Sequence, residues 1–243
     1  MLLSPALYVL VAASQSQSDL ARHVYPLARA VPSPEVIVDT KDFPEGHEWA
    51  EEAKRIVESW YPKICELLAT DGRDPLTGQA SGEPLKSPKT IKLVFKKTLS
   101  NPAYTQGGTI TVNGEWITKH PDDLGMVVHE LTHVIQHYPG QPRDTGWLVE
   151  GIADYVRWWR YEPELQSTKG RTKIDPTKAK YTDAYRTTAM WLAWSGRKYN
   201  MALVPCLDKC LRDGKDPLPE FKRVTGKSAE ELWDLFVADQ PKT

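Results

Sequence analysis

The chain has 243 residues, 40% hydrophobic and 26% charged, with a net charge of −1, the profile of a soluble globular protein long enough to bury a full core. Near-neutral charge excludes an electrostatic case for nucleic acid or an anionic membrane as the principal partner. Three cysteines are too few for a disulfide framework: Cys206 and Cys210 stand four apart on a predicted helix, a poor spacing for a bridge, and one bond from Cys65 to either leaves a thiol over.

Met1 to Ala13 (MLLSPALYVLVAA) is apolar and is followed by the polar SQSQSD. Small residues at Ala12, Ala13 and Ser14 suit signal-peptidase cleavage, so a signal peptide is expected over residues 1–18, with a secreted or periplasmic product. The alternative is a plain N-terminal helix on a cytoplasmic protein. The stretch is too short to span a bilayer comfortably, and no other segment is long and apolar enough. Residues 19–34, with Pro26, Pro32 and Pro34, read as a linker. A single domain is expected over 35–240, with a sheet lobe at 35–138 and a helical lobe at 139–240.

Glu35 to Asp39 (EVIVD) is β-branched and bounded by Pro and charge, hence a strand. His47 to Ala69 carries apolar residues at helical spacing, with a kink expected at Pro62. Asp71 to Lys89 is a Gly-, Pro- and Ser-rich loop. Thr90 to Phe95 and Thr109 to Val112 are further strands. Asn113-Gly114 reads as a turn, with Glu115 to Ile117 as a hairpin return. Pro121-Asp122-Asp123 opens a helix that runs to about Tyr138, where Pro139-Gly140 stops it. Beyond it the chain reads as helices: Trp147 to Tyr161, Thr182 to Trp194, Leu203 to Leu211, and a last one opened by the capping box Ser228-Ala-Glu-Glu231. A small sheet followed by a run of helices is an α+β order. Nine tryptophans serve either as core aromatics or as a stacking groove for side chains or sugars.

The stretch Val127 to Ile135 contains His129-Glu130-Leu131-Thr132-His133, the His-Glu-x-x-His zinc pattern. Residues four apart share a helix face, so His129 and His133 offer two imidazole nitrogens to one ion. Glu130 lies about 100° round the helix, beside the metal, where a carboxylate takes a proton from a metal-bound water. A catalytic zinc needs a third ligand. Gln136 and Pro139 stand where the metzincin pattern requires Gly and His. His137 is about 12 Å of helix rise from His129, too far to converge with it, and is expected at the rim. Glu150, in Trp147-Leu-Val-Glu150-Gly-Ile-Ala-Asp154, is the better third ligand, since a carboxylate in so apolar a segment needs a cation. Asp154, one turn later on the same face, is placed to accept the second ring N–H of a motif histidine.

HELTHVIQHY followed by GWLVEGIADYVRW resembles the plant and bacterial peptidase family known as basic secretory proteins, over about Glu35 to the SAEELWDLF segment. Its Glu-x-x-x-Asp arrangement is also similar to that of gluzincin metallopeptidases. The resemblance implies one Zn²⁺ held by His129, His133 and Glu150, with Glu130 as base. It further implies that the Ile110 to Val112 stretch is an edge strand carrying an extended substrate antiparallel, with Gly108, Thr109, Ile110 and Thr111 in contact. Family members are often basic, which this chain is not. In Ala184 to Leu192, Tyr185 and Thr188 match a family stretch, while Met190 stands where Arg is usual. Tyr185 is the candidate phenol for the developing oxyanion, with Tyr181 and Tyr155 as rivals. The expected function is hydrolysis of peptide bonds in a peptide or protein substrate by a monomeric enzyme. Ala103 to Val112 holds no carboxylate to clamp a free α-amine, which favours an endopeptidase. A Trp-rich secreted binding or defence protein retaining a zinc site, and a zinc hydrolase of non-peptide amides, are the alternatives.

Overall fold

Four short strands make one mixed sheet in the computed structural model, which describes residues 31–138, 140, 144–165, 174, 175 and 177–240. The leader over 1–18 and the linker as far as residue 30 lie outside the described residues. The strands are β1 (Glu35–Asp39), β2 (Thr90–Lys96), β3 (Ala103–Gln106) and β4 (Thr109–Asn113), in the spatial order β1-β2-β4-β3. β1, β2 and β4 are parallel, and β3 is antiparallel to β4. Sequence and sheet order therefore part company at β3, which precedes β4 in the chain but lies outside it in the sheet. A two-residue turn joins them, with Gly107 at a φ of 58° in the first central position, the left-handed backbone that a type II′ hairpin requires.

β2 alternates cleanly: Ile91, Leu93 and Phe95 are buried, while Lys92 and Lys96 face out. The buried face is covered by helices α1 (His47–Leu67) and α3 (Gly125–Gln136). α1 buries Ala50, Ala53, Ile56, Val57, Tyr61, Ile64 and Cys65 along one stripe, and Pro62 lies within it as one uninterrupted element. The short helix α2 (Gly114–Lys119) occupies the place of the expected hairpin return. Asn113 is the reason: its Oδ1 accepts from the Glu115 and Trp116 N–H groups while its Nδ2 donates to the Leu99 and Asn101 carbonyls. The Asn-Gly pair thus caps a helix instead of turning a hairpin.

α4 (Gly146–Val156) continues for one π-helical turn over Arg157–Tyr161. α5 (Tyr185–Lys198), α6 (Leu203–Arg212), α7 (Leu218–Thr225) and α8 (Ala229–Ala238) complete the helical half. α7 has no counterpart among the predicted elements, whereas the capping box of α8 forms as expected, with Ser228 accepting from the Glu231 N–H and Glu231 from the Ser228 N–H. α5 begins three residues later than the Thr182 start, because Ala184 and Tyr185 hold positive φ angles of 61° and 46°. Behind α3, Tyr138 donates to Asp208 at 2.7 Å, and Arg212 joins Asp208 to the Leu68 carbonyl, tying the end of that helix to α6 and α1. The three cysteines are free and buried. No helix among the described residues is long and apolar enough to cross a membrane.

Most of the tryptophans pack in or against the core, while Trp116 and Trp158 also line the open groove beside α3. Trp191 is 0% exposed, stacked on Phe221 at 5.0 Å and edged by Tyr181, Trp147 and Trp233. Trp158 is buried as well, and Trp147 and Trp159 are half-buried. Trp191→Ala is expected to lower unfolding stability by about 3–5 kcal/mol, the cost of removing a large aromatic from a packed site. Urea unfolding of the two proteins measures it, and a loss below about 1 kcal/mol contradicts this placement.

Candidate metal centre

α3 is apolar on nearly every side, with Val127, Val128, Leu131, Val134 and Ile135 buried, as befits a helix running between a sheet and other helices. It starts at Gly125, later than the Asp122 expected from sequence. Asp123 is engaged elsewhere, accepting from Trp116 Nε1 and pairing with Arg157. α4 runs antiparallel to α3. His129 meets Asp154, His133 meets Glu150, and Gln136 meets Val149.

This crossing brings three ligand atoms together. Nε2 of His129 and Nε2 of His133 are 3.1 Å apart, and Oε2 of Glu150 lies 3.2 Å from the first and 3.4 Å from the second. Ligands arranged tetrahedrally at about 2.0–2.2 Å from zinc are about 3.3–3.6 Å from one another. The triangle is one face of such a tetrahedron, closed by a few tenths of an ångström. Among the described residues, these three are the His/Cys/Asp/Glu group able to hold a metal ion.

The far side of each imidazole decides what the near side offers. His129 Nδ1 faces Asp154 Oδ1 at 2.8 Å, and His133 Nδ1 faces Gln136 Oε1 at 2.7 Å. Gln136 is oriented by its own amide, whose Nε2 donates to the Val149 carbonyl at 3.1 Å. Both Nδ1 atoms are therefore donors, and both Nε2 atoms of the neutral rings are lone pairs aimed at the carboxylate. Three electron-rich atoms within hydrogen-bonding range of each other require a cation. A proton fills the role when no ion does. Burial opposes a charge on His129, but its bonds to Asp154 and Glu150 outweigh that and push the imidazolium up to about 10. Glu150 shows the complement: burial works against its charge, yet the two histidines hold its carboxyl down at about 2. The donor set fits zinc, with two imidazoles, one carboxylate and an outer partner on each histidine.

Glu130 lines the same groove beside this triangle, and its side chain reaches the sheet. It is 7% exposed, and its Oε2 accepts from Thr105 Oγ1 at 2.7 Å. Thr105 belongs to β3, and β3, not the Ile110 to Val112 stretch, is the edge beside the centre. β4 is flanked by β2 and β3, so its backbone groups are engaged on both sides. Ile110 and Thr111 are buried, and Gly108 and Thr109 form the hairpin end. The edge expected over Ile110 to Val112 is thus one strand further out, and Gly108, Thr109, Ile110 and Thr111 lie on the β4 side of the hairpin. Asn113 N–H donates to the Pro102 carbonyl, and antiparallel pairs alternate in their bonding from that point. Tyr104 and Gln106 turn their backbone groups to β4. Ala103 and Thr105 turn theirs outward, where no described strand pairs with them.

The centre opens into a groove of about 1200 Å³. Tyr185 stands on its wall, 55% exposed, its ring stacked on His129 with centroids 6.3 Å apart. The charge of Glu150, then burial and the charges of Asp154 and Glu130, raise its pKa and keep the phenol protonated. Its backbone is strained: Ala184, at φ 61° and ψ −174°, occupies a region that is essentially reserved for glycine, and Tyr185 follows at φ 46°. α5 is seated by a close approach to α4, where a Cβ on Gly151 would stand 2.2 Å from Thr188 Cγ2. The rivals are occupied elsewhere, for Tyr181 donates to Glu230 and Tyr155 is buried under Arg160. His137 lines the groove rim, at a φ of 21°.

Two residues at the centre escaped the sequence reading. Gln136 carried a signal, since it stands three residues after His133 on one helix face. Thr105 carried none, because Ala103 to Gln106 is too short and too polar to announce a strand.

Comparison with known proteins accords with this geometry. No curated protein and no solved structure matches the chain. The family model described as "Peptidase of plants and bacteria" matches residues 39–236, a span that takes in β2, β3 and β4, the groove, both helices of the candidate centre and nearly all of the helical half. The chain is a member of that peptidase family.

Proposed function

We propose that this protein is a zinc-dependent endopeptidase. The observation that carries the proposal is the convergence of two Nε2 lone pairs and the Glu150 carboxylate beside a buried glutamate and a free strand edge. Zinc held by His129, His133 and Glu150 supplies Lewis acidity, which polarises a carbonyl and brings the pKa of water towards ~7. The chain's own residues do the rest. An extended peptide pairs with the outward N–H and C=O groups of Ala103 and Thr105, adding a strand to the sheet. Glu130 takes the proton of the attacking water and later delivers it to the leaving amine. Tyr185 donates from its phenol to the oxygen on which charge develops. Asp154 and Gln136 keep both imidazoles in the tautomer that leaves Nε2 free.

β3 offers no carboxylate to a free α-amine, and Asp123 and Glu162, in the same groove, are paired with Arg157. This favours cleavage within a chain. The apolar stretch Met1 to Ala13, with small residues at Ala12, Ala13 and Ser14, supports an exported product. Treatment with 1,10-phenanthroline is expected to abolish cleavage of a peptide blocked at both ends, and one equivalent of zinc to restore it. Cleavage that survives complete removal of metal sinks the proposal. A protein that needs zinc but cleaves only simple amides returns the reading to a non-peptide hydrolase.

A further inference from the structure

A base works only if its carboxylate is held at the right place, and nothing on α3 holds that of Glu130. Among the described residues, the hydrogen bond to its carboxylate comes from Thr105 Oγ1, at 2.7 Å from Oε2. The same hydroxyl lies 3.0 Å from the Glu130 carbonyl, so its single proton is shared between backbone and side chain of one residue, with the shorter contact to Oε2. It reaches there from another element, because Thr105 pairs with Ile110 and its side chain shares the sheet face that α3 covers. Its backbone groups point the other way in the sheet plane, to the free edge.

We infer that Thr105 is a positioning residue for Glu130. Its hydroxyl fixes Oε2 and leaves Oε1 as the proton acceptor, and its N–H and C=O receive the peptide. One residue thus registers substrate and base against each other. A strand docked on β3 is aligned to the same backbone that aligns the carboxylate, so scissile bond and base share one reference point. This rests on the peptidase reading above.

The test compares Thr105→Val, which keeps shape and loses the hydroxyl, with Thr105→Ser, which keeps the hydroxyl. For the zinc-loaded enzyme, Thr105→Val is expected to lower kcat by about 10- to 100-fold, the penalty of a misplaced reacting group. KM should stay within about two-fold, since the backbone edge is unaltered, and Thr105→Ser should recover most of the rate. Crystal structures of the three proteins supply a readout independent of turnover. Glu130 is expected in one position in the parent and in Thr105→Ser, and turned or split in Thr105→Val. A Glu130 that does not move in Thr105→Val overturns the inference, as does an unchanged kcat, a loss confined to KM, or a serine variant as slow as the valine. If the parent cleaves no peptide, the peptidase reading fails separately, and the position of Glu130 still decides the role of Thr105.

Discussion

Glu130→Gln lowers kcat for peptide cleavage by about 10²–10⁴-fold while zinc content and fold stay as in the parent, the range that a positioned acid–base group contributes. The two side chains have the same shape, and the amide oxygen still accepts from Thr105 Oγ1, so the buried pocket that holds Glu130 is not disturbed. Glu130 is not among the residues whose atoms converge on the ion site. What the amide cannot do is take a proton. Steady-state kinetics beside zinc analysis of the same preparation separates loss of the base from loss of the metal. A glutamine variant that holds zinc and keeps the parent rate would falsify the assignment of Glu130.

Asp154→Asn weakens zinc binding by about 10- to 100-fold although Asp154 is not a ligand. Asp154 is buried, and its Oδ1 accepts from His129 Nδ1 at 2.8 Å. A carboxylate there has only acceptor atoms, so it admits one tautomer of His129, the one with Nε2 unprotonated. Asparagine offers an acceptor on one side of the amide and a donor on the other. In one orientation the tautomer survives but the negative charge that strengthens the imidazole as a ligand is gone. In the other, the proton is driven onto Nε2 and the ligand is blocked. Both orientations weaken binding. Competition with a chromophoric chelator reads the affinity directly, and parent-like affinity in the asparagine variant shows that Asp154 has no hand in presenting the ligand.

Much of the centre was legible because it is written in helices. His129, His133, Glu150 and Asp154 follow from spacings of four residues on two apolar segments, and helical geometry turns such spacings into faces without help from the rest of the fold. The sheet was less legible. β1, β2 and β4 announce themselves by β-branched runs, but which strand forms the edge depends on where the chain folds back. Ala103 to Gln106 has no hydrophobic signature, so the edge was placed one strand too far inward, and Thr105 went unseen with it. Asn113-Gly114 is a local signal with two uses, and packing against the Leu99 and Asn101 carbonyls selects the helix cap over the turn. The late start of α5 was illegible for a different reason. Positive φ at Ala184 and Tyr185 has no residue-type signal, since neither is the Gly, Asn or Asp that favours it.

The antiparallel crossing of α3 and α4 also bears on how the centre comes to exist. The proposed ligands are separated by only 21 positions, His129 to Glu150, and the proposed base and outer partners extend the stretch only to Thr105 and Asp154. Closing a loop of that length costs on the order of 3 kcal/mol of chain entropy, little more than a loop half as long. A short stretch of chain, β3 through α4, therefore holds every group that would grip the ion, with none supplied by α6 to α8. Metal captured there would clamp two helices that the helical half packs against, so zinc would serve assembly as well as chemistry.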